Sequence, residues 1–376
     1  MRKIYTLLLA LVASMTAFAQ NPDPSKWEKG QNVIADLGMK DVDPTQPWTT
    51  KSNGGSAGKE GNYGEYWKGV GQKFFFDYID QNDAMYGDHE KGSTCMGYYG
   101  DGHVTDDNPD VYQIVKLPAG YYTIRVQACY RDASGQQTTD CFNAWKKGQS
   151  KKNAWAYAEE FADEASAIAG DEPVSTFKTA IHHIFDVKCP ESLCSWTPNG
   201  DDWRNDGSFV VIEQEMNNRG KLVDVEKTYY YPRSIIGASY FFQKDYYWNE
   251  FKILLEKDAY VRIGYRKTDY VTEDWLALSE WQIIYNDGYT TEAQVDFAST
   301  EFDNESAELE QWKEQFTNAE FDGFDKSFTS VISDKISDDI QIAGMTYESV
   351  TGQDLLNFIA DLKQKNLDYE ELYQAT

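Results

Sequence analysis

Two alternating runs joined by a short turn constrain this chain more than any other feature. In DVYQIVKLPAGYYTIRVQACYRD (110–132), the second run puts Tyr122, Ile124, Val126, Ala128 and Tyr130 on one side. Thr123, Arg125, Gln127 and Cys129 fall on the other. Alternation of period two is the mark of a strand with one face turned to a core. Pro118 and Gly120 supply the turn, one by presetting φ and the other by accepting conformations closed to other residues.

The same texture continues from Val33 to about Tyr285. Short runs rich in Tyr, Phe, Val and Ile alternate with clusters of Gly, Asp, Asn and Pro, which predicts an all-β sandwich or barrel. Strands are expected at Lys73–Tyr78, Val111–Leu117, Tyr121–Arg131, Ser208–Glu213, Ala238–Phe242, Trp248–Leu255, Tyr260–Arg266 and Glu280–Tyr285. The Ala- and Glu-rich stretch NAWAYAEEFADEASAIAG reads instead as helical. Residues 132–230 are taken as partly an insertion, with long loops at one end of the sandwich.

Near residue 300 the strand runs stop. ESAELEQWKEQF is helix-like, and TGQDLLNFIADLKQK places Leu355, Phe358, Ile359 and Leu362 on one helical stripe behind a Thr351/Asp354 capping pair. Residues 301–376 are therefore expected to be a helical tail, following a sandwich over 20–300. At the other end, MRKIYTLLLALVASMTAFAQ has a basic start, an apolar run and an Ala17-Phe18-Ala19 processing pattern. Residues 1–19 read as a signal peptide, because the apolar run is shorter than the ~20 residues of a membrane span. The mature chain is expected to be exported to the periplasm, the cell surface or the medium, with no transmembrane segment.

A formal charge of -27 on 376 residues opposes binding to nucleic acid or anionic lipid. Five cysteines in an exported chain suggest disulfides, Cys189–Cys194 first and Cys129–Cys141 second. His182 and His183 stand just before CPESLC, yet the second matched pair of a zinc site is missing. GHVTDDNPD holds His103 and three acids but departs from the EF-hand spacing. It reads as a solvated acidic loop, with a structural calcium ion as the alternative. No cofactor and no protein-metal centre are expected.

VYQIVKLPAGYYTIRVQACYR resembles the hairpin of galactose-binding-domain-like jelly rolls, relatives of carbohydrate-binding modules found in exported bacterial proteins. YYYPRSIIGASYFFQKDYYWNEFKILLEKDAYVRIGYR is similar to a later run of that group, at Pro232, Ser234, Phe242, Tyr247, Asn249, Ile263 and Gly264. DWLALSEWQIIYN resembles its closing strand. There Ser279 stands where the group usually has Asp, so no structural metal ligand carries over to this strand, while Glu280 and Trp281 keep the rest of the pattern. The resemblance covers roughly 30–287 and implies a mainly β fold, a jelly-roll β-sandwich with a partly helical loop insertion and a small C-terminal helical segment. Such domains bind sugars, bind proteins or connect other domains.

Sugar recognition needs flat aromatic faces beside Asp, Asn or Arg. Tyr122, Tyr130, Tyr265 and Tyr285 occupy strand positions and read as packing. The loop aromatics are the expected ligand-binding residues: Tyr66 and Trp67 in NYGEYWKG, and Trp196 and Trp203 with Asp202 and Arg204 in SWTPNGDDWRND. With 62 acidic residues, paired carboxylates carry no information about glycosidase chemistry. No Gly-x-Ser-x-Gly elbow, His-Glu-x-x-His or phosphate loop is present. The expectation is a non-catalytic glycan-binding protein, accessory to polysaccharide capture. The alternative is a structural or protein-interaction module of the cell envelope docking through its helical tail.

Overall fold

A computed structural model describes residues 24–33, 110–132, 138–150, 152–193, 206–233, 235–268, 271, 274–318, 326–347, 349–351 and 353–375, with the strand backbones at 68–70, 74–77 and 95–99. These residues form two compact units. One is built of strands, and the other is helical and includes the turns Pro118–Tyr122 and Lys252–Asp258. No helix among the described residues is long and apolar enough to cross a membrane.

The β unit is a jelly-roll sandwich of two antiparallel sheets with helical additions. One sheet contains β3 (Phe74–Asp77), β4 (Cys95–Tyr99), β6 (Gly120–Arg131), β11 (Trp248–Leu255) and β13 (Trp275–Asp287), in the order β11-β6-β13-β4-β3, with β1 (Gln31–Asn32) also on β13. The other contains β2 (Lys68–Val70), β5 (Asp110–Leu117), β7 (Ala154–Phe161), β8 (Ser175–Ala180) and β12 (Ala259–Lys267), in the order β2-β5-β12-β7-β8. A separate ribbon pairs β9 (Asp206–Met216) with β10 (Leu222–Pro232). The helices of this unit are α1 (Thr138–Lys146), α2 (Glu164–Ala169) and α3 (Ile235–Gln243).

The 110–131 hairpin is the junction between the two sheets. At its turn the Tyr122 hydroxyl donates to Pro118 O at 2.8 Å. A Cβ on Gly120 would lie 2.9 Å from Asp287 O, so only glycine fits without a shift. Tyr122, Ile124, Val126, Ala128 and Tyr130 fill the interior as the alternation requires. The other side of β6 is buried too, leaving only Arg125 half-buried. Cover comes from the end of α3, the segment after it and residues 181–189: Gln127 Nε2 donates to Phe242 O at 2.6 Å, and Cys129 lies in an apolar cluster with Ile184, Phe185 and Tyr247.

Three expectations are corrected. Ala238–Phe242 is part of helix α3, not a strand, and its buried Ala238, Phe241 and Phe242 have helical spacing. Residues 154–161 form strand β7, not helix, and β7 is an inner strand paired with β12 and β8. Its Trp155, Tyr157, Glu159 and Phe161 alternate with Ala154, Ala156 and Ala158, so period two was present beneath helix-favouring composition. Finally, Cys129, Cys141 and Cys189 are free and buried, so neither expected disulfide forms. All three thiols belong to one apolar cluster and serve as small packing groups. Burial pushes the Cys129 thiol far up and the Cys141 thiol up to about 12, which keeps both protonated and inert.

That cluster roots the ribbon. Phe185 has ring centroids of Phe142 and Phe209 at 5.2 Å and of Tyr231 at 4.8 Å. Gly207 is the register partner of Tyr231, and a Cβ there would come within 2.1 Å of the tyrosine ring. Asn249, one of the positions of the resemblance, is a structural clasp. It accepts from His182 N at 2.7 Å and donates to Val126 O, Ala128 O and Tyr247 O. The clasp holds Tyr247 at a φ of 63°, a left-handed conformation uncommon for an aromatic residue, while its hydroxyl donates to Ile184 O at 2.7 Å.

The helical unit contains α4 (Thr291–Asn318), α5 (Lys326–Tyr347) and α6 (Gln353–Ala375). Thr290 caps α4 by accepting from Ala293 N at 3.1 Å. Leu309, Trp312, Phe316, Ile332, Ile336, Leu362 and Tyr369 form its core. The expected stripe on α6 is inward, with Leu355, Ile359 and Leu362 buried. Asp339 of α5 accepts from Tyr369 Oη at 2.6 Å and from Lys365 at 2.5 Å. Those contacts hold its carboxyl below the ordinary range although burial pushes it up.

Candidate functional site

Directly paired residues of antiparallel strands share a face. The registers of β12 with β5 and β7 therefore define the outer face of the five-stranded sheet row by row. Arg266 stands between Trp155 and Asp110, Gly264 between Tyr157 and Tyr112, and Arg262 between Glu159 and Ile114. Lys178 of β8 joins the row of Tyr157. The opposite face, with Ala156, Ala158, Val261, Ile263 and Tyr265, is buried in the sandwich.

Arg266 organises the polar part. Its Nε and Nη2 donate to Asp110 Oδ2 at 3.0 and 2.9 Å, and its Nη1 donates to Glu159 Oε1 at 2.9 Å. Its guanidinium carbon lies 4.3 Å from the centre of the Tyr157 ring. Burial alone would weaken the Arg266 charge, but Glu159, Tyr157 and Asp110 outweigh it and raise its affinity for the proton. The Tyr157 hydroxyl donates to Asp110 Oδ1 at 2.5 Å. Burial and then the adjacent Asp110 charge push that phenol far above its ordinary range, so it remains a donor. Tyr157 belongs to β7 and Asp110 to β5, so this side chain crosses β12. Gly264, its register partner, has no side chain to block the path.

The face is closed at one end and open at the other. Helix α2 lies over the closed end, where Arg262 Nη2 donates to Ala167 O at 2.5 Å and the guanidinium carbon is 4.1 Å from the Tyr112 ring centre. α2 is itself fixed by Asp163, which accepts from Ser166 N at 2.9 Å, and by Gly170 in the left-handed region. At the open end, Trp155, Asp110 and Arg266 are half-buried and Lys178 is exposed, its Nζ 4.4 Å from the Trp155 ring centre. This end offers an aromatic surface, a cation, a guanidinium and a carboxylate within two adjacent rows of one rigid sheet.

The residues expected to bind ligand, Tyr66, Trp67, Trp196, Asp202, Trp203 and Arg204, lie outside the described residues, as does His103. What the structure does place is the pair of ends flanking 194–205. Asp206 accepts from Ser192 Oγ at 3.1 Å and from Leu193 N at 2.7 Å. His183 turns to Asp132 at 3.3 Å and Cys189 Sγ donates to Glu191 O at 3.1 Å. No group of three or more metal-ligating side chains occurs among the described residues. The outer sheet face was missed in the sequence because β7 looked helical, although the Trp155, Tyr157, Glu159 alternation marked it.

No family model and no curated protein matches the sequence. In the solved structures, the chain has a distant likeness to a carbohydrate-binding module, TmCBM61, in complex with β-1,4-galactotriose, at 10% identity, 68% of this chain, 99% of that chain and a TM-score of 0.26. It is also similar to the K3 cleaved adhesin domain of Lys-gingipain from Porphyromonas gingivalis, at 14% identity, 58% of this chain, 91% of that chain and a TM-score of 0.22. A third likeness is to the family 11 xylanase from Neocallimastix patriciarum, at 8% identity, 59% of this chain, 96% of that chain and a TM-score of 0.19.

Proposed function

We propose that this chain is an exported, non-catalytic glycan-binding protein that takes part in polysaccharide capture, and that the open end of the outer sheet face is a ligand surface. The observation that carries the reading is the half-buried Trp155 on the same row as Arg266 and Asp110. A flat ring accepts the apolar face of a pyranose, while a guanidinium and a carboxylate fixed beside it hydrogen-bond hydroxyls. Both carboxylates of the face are engaged by Arg266, an arrangement suited to binding rather than to proton transfer. Trp196 and Trp203, with Asp202 and Arg204, and Tyr66 with Trp67, are further ligand-binding candidates by their chemistry.

A glycan array with the full chain tests this reading. Trp155→Ala is expected to weaken binding at least tenfold with little change in melting temperature, and unchanged binding by that variant would remove the face from consideration. Trp203→Ala tests the loop in the same assay. A second reading, an envelope protein-interaction module, is favoured by exposed Val331, Ile342 and Met345 on α5. It predicts no glycan bound by the full chain, and a partner whose capture is lost when those three residues become serine.

A further inference from the structure

A lysine and an aspartate meet inside the sandwich where β12 ends and β13 begins. Lys267 is 1% exposed and Asp274 is fully buried. Nζ of Lys267 contacts Asp274 Oδ2. The Tyr130 hydroxyl donates to the same oxygen at 3.1 Å, and Asn153 Nδ2 donates to Tyr130 Oη at 3.3 Å. Thr268 Oγ1 donates to Asn153 Oδ1 at 3.1 Å and so fixes the amide with its nitrogen toward the tyrosine. With its lone pair taken by Asn153, Tyr130 directs its proton at Asp274 Oδ2. Among the described residues, Asp274 Oδ1 has no hydrogen-bond partner.

A buried ion pair is tolerated only when its remaining lone pairs are satisfied. Here one carboxylate oxygen is not, so transfer of the ammonium proton to the carboxylate relieves the site of two charges. Burial pushes the Asp274 carboxyl above its ordinary range in spite of the lysine beside it. A neutral amine touching a protonated carboxyl, shielded from water, is the reactant pair of amide condensation. Proximity of this kind replaces the encounter that free reactants need.

We propose that Lys267 and Asp274 condense to an intramolecular isopeptide bond. Nζ attacks Cγ, the new C–N bond forms and the Cγ–Oδ2 bond breaks. Oδ2 leaves as water, carrying the carboxyl proton and one amine proton, and Oδ1 remains as the amide oxygen. No electrons are exchanged and no co-reactant is needed. Tyr130 is the catalytic residue, because its hydroxyl touches the departing oxygen and stabilises charge developing there.

Peptide mapping of the purified full chain by mass spectrometry tests the bond. The expected result is a tryptic peptide that begins at Lys267, resists cleavage after it and is lighter than its sequence mass by one water. Normal cleavage after Lys267 with no dehydrated species would overturn the proposal. So would a dehydrated species that opens in hydroxylamine, since that behaviour marks a succinimide at Asp274. Tyr130→Phe keeps the buried ring and is expected to leave uncondensed Lys267 in freshly folded protein. Condensation at the wild-type rate in that variant would refute the role given to Tyr130.

Discussion

Strands β7 and β9 lie in the same part of the chain and have opposite fates. β7, AWAYAEEF, is built from residues that favour helix, yet it is an inner strand with all but Trp155 buried. β9, DGSFVVIEQEM, carries Phe, Val, Val and Ile, residues that favour strands, yet of its eleven residues only Phe209 is buried. The difference is one of neighbours. β7 has β12 on one side, β8 on the other and the sandwich interior beneath its alanines. Among the described strands β9 pairs with β10 alone, and its distal half exposes Ile212 and Met216 on a two-stranded ribbon. Intrinsic preference is worth less than about 1 kcal/mol per residue, whereas inner-strand burial adds apolar area and hydrogen bonds on every side.

Substitutions put this contrast to the test. The largest effect is expected at the root of the ribbon. Phe185→Ala removes the ring that contacts Phe142, Phe209 and Tyr231, and should cost about 3–5 kcal/mol in urea unfolding. A loss below about 1 kcal/mol would mean that the ribbon is not anchored there. On β7, Tyr157→Phe removes the donor to Asp110 and should cost about 1–3 kcal/mol, since the bond is to a charged group. At the ribbon tip, Ile212→Thr should stay within about 0.5 kcal/mol of wild type. A much larger loss would show that something covers that face in solution.

The smallest effect concerns acid. Asp186 accepts from Trp145 Nε1 at 2.7 Å and from His183 N at 2.6 Å. Burial pushes its carboxyl up, but His182, Trp145 and His183 outweigh burial and hold it below the ordinary value of 3.8. A depressed folded-state value stabilises the fold above 3.8 and loses that stabilisation as pH falls through the folded value. Asp186→Asn should therefore flatten the acid limb of the stability curve and leave its neutral plateau only slightly lower.

The contrast also explains what was legible in the sequence. The hairpin 110–131, the pair Trp248–Leu255 and Ala259–Lys267, and the stripe of α6 each combine favourable local preference with the matching period, and local and tertiary demands agree. Where they disagree, composition misled. Alanine and glutamate hid the alternation of β7, and with it the row of Trp155, Arg266 and Asp110. Aromatic β-formers hid the helical spacing of Ala238, Phe241 and Phe242. On the polar side of β6, nothing local announces that Phe242 O and Tyr246 O will come to meet Gln127.

Asp206 has a consequence for how such a chain can change over generations. One carboxylate gathers Ser192 and Leu193 to the first residue of β9, so the residues on either side of 194–205, the stretch that includes Trp196, Asp202, Trp203 and Arg204, are tied together at one point. Closing a loop costs only about 0.6 kcal/mol more for each doubling of its length. Between tied ends, residues can therefore be exchanged, added or removed without moving the strands on either side. The strands on either side can keep their places while the residues between them are rewritten.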